Sequence, residues 1–313
     1  RAAQEQLLRL SSAVSSEARL PEDERLRVAG LRALVLRDLD VSLTTYRRLT
    51  GRRPRDATAW FDLGRAEENA GVQDAALQSY ARAIAIDPQF AAAHLRLGSI
   101  YADESRTKEA LASFAEAERL YRSAANTEGE AEVLLRRGSL HDSLNDLAAA
   151  RADLERATSL SATLQTTHQE VRAQLALSSV TASQGRLAES EQIATAAVQT
   201  ALAKGLDSIA AAGLVALAAT LQSDHVSEAA AQAERALQLA ERRGARRTAA
   251  RARLQLAAIR TEQQRPRDAV ALAEEAIAFL KPNRYRRYEL YGLSILSRAY
   301  EQAARDGALL TDE

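Results

Sequence analysis

Side chains able to act as acid, base, nucleophile or metal ligand are sparse here and do not cluster. The four histidines, His94, His141, His168 and His225, are widely spaced. A helical metal site needs two ligands three or four residues apart, and no pair of them has that spacing. The absence of cysteine excludes disulfides, thiolate metal sites and Cys nucleophiles. No glycine-rich run could cradle a phosphate. The adjacent carboxylates Glu67-Glu68 and Glu274-Glu275 read as solvated helix faces. Catalysis needs several such groups held in fixed geometry, so the sequence predicts no catalytic residue, no metal, no cofactor and no small-molecule substrate. His94 is expected to pack, and His168 and His225 to fall in or beside loops.

The remaining chemistry is cationic. Arg47-Arg48, Arg52-Arg53-Arg55, Arg242-Arg243 with Arg246-Arg247, and Arg284 to Arg287 beside Tyr285 and Tyr288 could contact phosphates or stack on bases. The opposing reading is that they lie at helix C-termini, where the dipole favours cations. The overall balance favours the second reading. Lys+Arg 42 against Asp+Glu 42 leaves no net charge, so neither nucleic acid nor an anionic membrane is an expected partner.

Positioning falls to helices. The 313 residues include 68 alanines, 13 Gly, 5 Pro and only 4% aromatics, a composition that suits a long helical array whose small side chains let elements approach closely. No apolar run approaches the ~20 residues of a membrane span, and no secretory signal is present, so a cytoplasmic location is expected. A chain that starts at Arg1 and lacks methionine is expected to be processed or excised. The rarity of lysine, confined to Lys108, Lys204 and Lys281, hints at a GC-rich bacterial genome.

Internal self-similarity locates the helices. Between Asp56 and Phe90 the chain reads Trp60, Leu63, Gly64, then Ala76, Tyr80, Ala83 and Pro88. Thirty-four residues later the frame gives His94, Leu97, Gly98, Tyr101, Ala110, Phe114 and Ala117. Thirty-four residues earlier it gives Leu26, Gly30, Tyr46 and Pro54. This pattern resembles the tetratricopeptide repeat (TPR), a helical hairpin of ~34 residues. Further along, the period lengthens to about 40 and the small residue recurs as Gly138, Ser178, Ala218, Ala257 and Ser297. The second-helix aromatic shrinks to Leu154, Ala194, Ala233 and Ala273. These are read as TPR-like units with helices about one turn longer. Gly and Ala are expected to let helix axes approach, with Trp60, Tyr80 and Phe114 filling the wedge between them.

The resemblance implies an all-α fold, a right-handed TPR superhelix (α-solenoid) of about seven helix pairs forming one continuous body. Its divisions would be a capping helix over 1–20 with Leu7, Leu8 and Leu10, three near-consensus repeats over 21–125, four extended repeats over 126–288, and a final helix and tail over 289–313. Hairpin turns are expected at Ala70-Gly71, Asn145-Asp146, Gln184-Gly185, Ser223-Asp224 and Arg265-Pro266. Links between pairs are expected at Asp87-Pro88, Thr127 to Gly129, Lys204-Gly205, Arg243-Gly244 and Pro282-Asn283.

In TPR superhelices the first helix of each pair lines the concave face. By that resemblance the groove displays Phe61, Asp62, Arg65 and Asn69, then Arg96, Ser99 and Asp103, then Arg136 and Ser139. Next come Arg172, Leu175 and Ser179, then Val215 and Ala219, with Leu254 and Gln255 beyond. An arginine ladder of Arg65, Arg96, Arg136 and Arg172 would lead to an apolar floor at Leu175, Val215 and Ala219 and hold a protein or peptide partner. Alternatively, those arginines pair with Asp62, Asp103, Glu132 and Asp142 and only solvate the face. The Lys/Asn/Asn/Lys/Arg set by which some TPR domains clamp a chaperone C-terminus is absent. Arg96 matches its arginine, but Phe61 or Leu95 stands at the first lysine and Arg65 or Ser99 at the first asparagine. The implied function is a non-catalytic interaction module, the sensor or scaffold segment of a larger bacterial regulator, such as a transcription activator or a peptide-responsive Rap-type protein. A self-associating scaffold, dimeric through its terminal helices, and an arginine-dependent nucleic-acid array are the alternatives.

Overall fold

The computed structural model describes residues 20–281 and 286–305. Fifteen helices follow one another: α1 (Glu22–Val35), α2 (Leu39–Arg52), α3 (Ala57–Asn69), α4 (Gln73–Ile86), α5 (Ala91–Asp103), α6 (Thr107–Ser123), α7 (Thr127–Ser143) and α8 (Leu147–Thr163). They continue as α9 (Thr167–Ser183), α10 (Leu187–Ala203), α11 (Asp207–Leu221), α12 (Val226–Arg242), α13 (Arg246–Glu262), α14 (Pro266–Leu280) and α15 (Arg286–Arg305). No strand occurs among the described residues. The chain is therefore all-α, with seven helix pairs and a fifteenth helix. It divides into two compact units, unit 1 running to Val133 and unit 2 starting at Leu134. The proposed 1–20 capping helix and the tail beyond 305 lie outside the described residues, as does the Pro282-Asn283 link.

Local chemistry accounts for the helix boundaries. Asp38, Asp56 and Asp146 each stand at an N-cap and accept the N–H three residues on, from Val41, Ala59 and Ala149, satisfying a donor the helix leaves open. Pro266 occupies the first turn of α14, where its missing N–H costs nothing. Ten of the turns share one device, a left-handed residue just past the preceding helix. Gly71, Gly185, Gly205 and Gly244 take it, and so do Arg37, Ser105, Ala125, Asn145, Gln165 and Gln264. After α1, for example, Asp38 N–H reaches back to Ala33 O at 2.9 Å, closing the terminal carbonyls.

One boundary differs from expectation. Thr127 and Gly129 do not form a link but lie in the first turn of α7, and the link is Ala124 to Asn126. The Asn126 side chain accepts Gly129 N–H at 2.8 Å, and a Cβ on Gly129 would stand 2.3 Å from the Tyr121 ring. That glycine serves packing, not the turn.

The repeat hallmark also works differently from expectation. In the first three pairs the aromatic of the second helix lies directly on the glycine of the first. A Cβ on Gly30, Gly64 or Gly98 would come within 2.7 Å of Tyr46, Tyr80 or Phe114 respectively, and each ring is buried. Ring meets Cα, so the glycine makes room for a side chain more than it draws two backbones together. Trp60 has a separate task. Its indole N–H donates to Pro54 O at 3.1 Å, and His94 repeats the bond to Pro88 O at 3.2 Å. A carbonyl only accepts, so Nε2 of His94 carries the proton.

Later pairs exchange the sizes. Gly138 meets Leu154. Ser178 and Ala194, Ala218 and Ala233, and Ala257 and Ala273 then occupy the same two positions, all buried. As the second-helix residue shrinks, the first-helix residue grows, which preserves close packing. The helices lengthen together with this change, from 13 residues in α3 and α5 to 17 in α8, α9 and α10. The lengthening begins at α6, already 17 residues.

Candidate functional site

In unit 1 the expected groove residues are largely occupied with one another. Phe61 of α3 packs against Tyr80 and Phe90, ring centroids 5.6 and 4.9 Å away. Arg65 pairs with Asp62 at 3.7 Å, and Asn69 donates to Arg65 O at 2.7 Å. On α5, Arg96 reaches Glu68 at 3.5 Å, and Glu68 also accepts the Tyr80 hydroxyl at 2.7 Å. Ser99 turns back onto Leu95 O, and Asp103 is exposed. Burial pushes the Asp62 carboxyl above the usual aspartate range, with Arg65 and Arg27 opposing it. Burial likewise raises the Tyr46 hydroxyl to about 12. Arg65 and Arg96 thus each stand beside a carboxylate, Asp62 and Glu68 respectively.

Unit 1 also has a wide charged hollow of about 800 Å³ beside the α2–α3 connection. Its charges match internally. Asp23 accepts from Arg52 and Arg53 at 2.7 and 2.5 Å, and Arg27 pairs with Asp56. Arg48 pairs with Glu22. Of the first arginine clusters, Arg48, Arg52 and Arg53 thus pair with Glu22 and Asp23 of α1, and Arg47 with Glu67 of α3.

Unit 2 has a different hollow. First helices adjoin in sequence, α9 against α11, α11 against α13 and α13 against α15, and a cleft of about 340 Å³ lies along them. Among the expected residues it gathers Ser179, Val215 and Ala219, with Leu254 and Gln255. Leu175 instead packs into the core cluster around Val215 and Leu214. Ser139 donates back to Leu135 O. Arg136, Ser139 and Arg172 do not line the cleft.

The lining residues outside the expected set include Arg251 of α13, and Tyr288 and Tyr291 of α15. The signal for them is helical spacing. Arg251 precedes Leu254 by three residues and Gln255 by four, and Tyr288 and Tyr291 are three apart, so each set shares a face. The Arg251 guanidinium carbon stands 5.3 Å from the Tyr288 ring centroid, a cation–π distance. Three other polar groups of the cleft are satisfied internally. Gln255 donates to Gln222 at 2.6 Å, Ser178 to Leu175 O at 2.9 Å and Thr220 to Ala216 O at 3.2 Å. Among the described residues no Asp or Glu lines the cleft. Among the described residues no three His, Asp or Glu converge as metal ligands, and no helix is long and apolar enough to cross a membrane.

Family models described as tetratricopeptide repeat match residues 27–89 and 74–125, and again 131–163. No curated protein matches the sequence. Among solved structures, a Rap protein complexed with Competence and Sporulation Factor is similar at TM-score 0.66 and 12% identity, over 96% of this chain and 94% of that one. A tetratricopeptide repeat protein from Parabacteroides merdae is similar at TM-score 0.63 and 18% identity, over 89% of this chain and 98% of its own. The APC/C hetero-tetramer Cut9–Hcn1 is similar at TM-score 0.62 and 17% identity, over 93% of this chain and 48% of that one.

Proposed function

This chain is a tetratricopeptide repeat protein, and on that premise we propose that it is a non-catalytic interaction module whose unit 2 cleft receives a segment of a protein partner. TPR proteins generally mediate protein–protein interaction. The observation that carries the reading is the cleft along α9, α11, α13 and α15, because it lies on first helices and is lined by small and aromatic side chains. Its volume falls at the lower end of ligand clefts, which span ~300–1,000 Å³, and suits a few residues of an extended chain. The complex of the Rap protein with Competence and Sporulation Factor supports the finer reading of a sensor or scaffold segment in a bacterial cytoplasmic regulator.

Selection of random peptides displayed on phage against the immobilised protein tests the reading. The expected result is an enriched sequence class whose binding is lost in Ala219→Trp, which fills the cleft from an exposed position. No enrichment, or enriched peptides indifferent to that substitution, would contradict it.

A second reading, self-association through the terminal helix, is favoured by the uncovered face of α15. Its counterparts in earlier first helices, Ala211 and Ala250 at one position and Ala218 and Ala257 at another, are buried to 1% exposure or less, whereas Leu290 is 51% exposed and Ser297 is exposed. Light scattering at two concentrations decides it. A mass that grows with concentration and returns to monomer in Leu290→Glu supports it, and a constant monomer removes it.

A further inference from the structure

Resting on the cleft reading above, we infer that Arg251 is the residue that selects the partner, and that it selects an acidic side chain, Asp or Glu, within the bound segment. Among the described residues lining the cleft, Arg251 is the one that carries a charge. It forms no ion pair among the described residues, and its recorded contact is the face of Tyr288. A cation–π approach at 5.3 Å uses the charge of the guanidinium and consumes none of its N–H donors. Arg253, two residues on in the same helix, shows a contrast, since it pairs with Glu241 and Glu275. A half-buried cation with unused donors, in a cleft without carboxylates, favours an anionic group from outside.

The same observations choose among anions. A phosphoryl group carries ≈ −1.5 to −2 charge, and the one arginine among the described lining residues matches a single carboxylate better. The cleft continues past Arg251 on α13 to Tyr291 on α15. A chain that fills it therefore runs by Arg251 instead of ending there, which assigns the carboxylate to a side chain and not to a C-terminus. Small floor residues, Ala182, Ala216 and Ala219, leave room for the neighbours of that acid to lie flat, and Tyr291 offers a ring edge at the far end.

The probe is a cellulose-tethered array of random short peptides with blocked C-termini. Each is made with Asp, Asn or phosphoserine at every position and incubated with the intact protein. The expected result is a family of peptides that bind roughly tenfold more tightly with Asp than with Asn at one position, the fold-change of a charge-assisted hydrogen bond. Arg251→Gln should equalise the two versions and Arg251→Lys should restore part of the difference, with circular dichroism unchanged in both. Equal binding of Asp and Asn versions, unchanged preference in Arg251→Gln, or phosphoserine preferred over Asp would overturn the assignment. Preference for soluble versions ending in a free carboxylate would overturn it as well. If Ala219→Trp abolishes binding while Asp and Asn are equivalent, the cleft reading survives and the role of Arg251 fails. If no peptide binds, both fail.

Discussion

At the scale of single residues, Gly64 and Tyr80 form one packing unit. Adding a methyl at Gly64 pushes against a buried ring 2.7 Å away, so Gly64→Ala should cost ~1–3 kcal/mol of overpacking despite its better helix propensity. With Tyr80→Ala in the background the obstruction is gone, and the same substitution should become neutral or gain up to ~1 kcal/mol. Urea unfolding of the four proteins measures this coupling, and additive costs would contradict the packing described. Asp23 supplies a pH-dependent counterpart. Hydrogen bonds from Arg52, then Arg53, hold its carboxyl below the ordinary 3.8. Its folded-state value is depressed, so its contribution is present above the unfolded value and lost as pH falls through the folded one. Asp23→Asn should therefore flatten acid unfolding below about pH 4, as followed by circular dichroism, while leaving the neutral-to-alkaline side unaltered in slope. Asp62 acts in the opposite sense, because its folded-state value is raised. The sequence located both glycine and ring correctly but not their contact, since spacing tells which residues share a face and not which atoms meet. Arg251 was hidden for the same reason, since it looks like any other arginine on a charged helix.

At the scale of elements, the turns explain why most boundaries were legible and one was not. Gly71, Gly185, Gly205 and Gly244 announce left-handed positions, and those turns fall where glycine placed them. Ser105, Ala125 and Gln165 adopt the same conformation without glycine, and Gly129, the nearest glycine to one of them, belongs to a helix. Glycine there reports Tyr121 above it, a tertiary demand that no local pattern carries. Replacing Ser105, φ 61°, with glycine removes the Cβ strain and should raise stability by about 1 kcal/mol, while Gly185→Ala should lower it by a similar amount. Thermal melting of the pair checks the sign, and a destabilised Ser105→Gly would show that the turn is held by something other than its backbone.

At the scale of the whole molecule, helix pairs within each unit bury their faces on chain neighbours, so disturbances should stay near their origin. Gly64→Ala should speed amide exchange in α3 and α4 and leave α13 and α14 unchanged; uniform acceleration would argue for one indivisible core. The balanced total of charge was legible from composition, and so was the local helical period. The candidate cleft was only partly so, because it draws on three first helices, α9, α11 and α13, and on the terminal α15, whose Tyr288 reads as part of a basic run. The account stands or falls on where a partner lands. Hydrogen–deuterium exchange of the protein with the best peptide from display should show protection in α9, α11, α13 and the start of α15. Protection confined to second helices such as α10, α12 and α14, with the first helices unchanged, would contradict it.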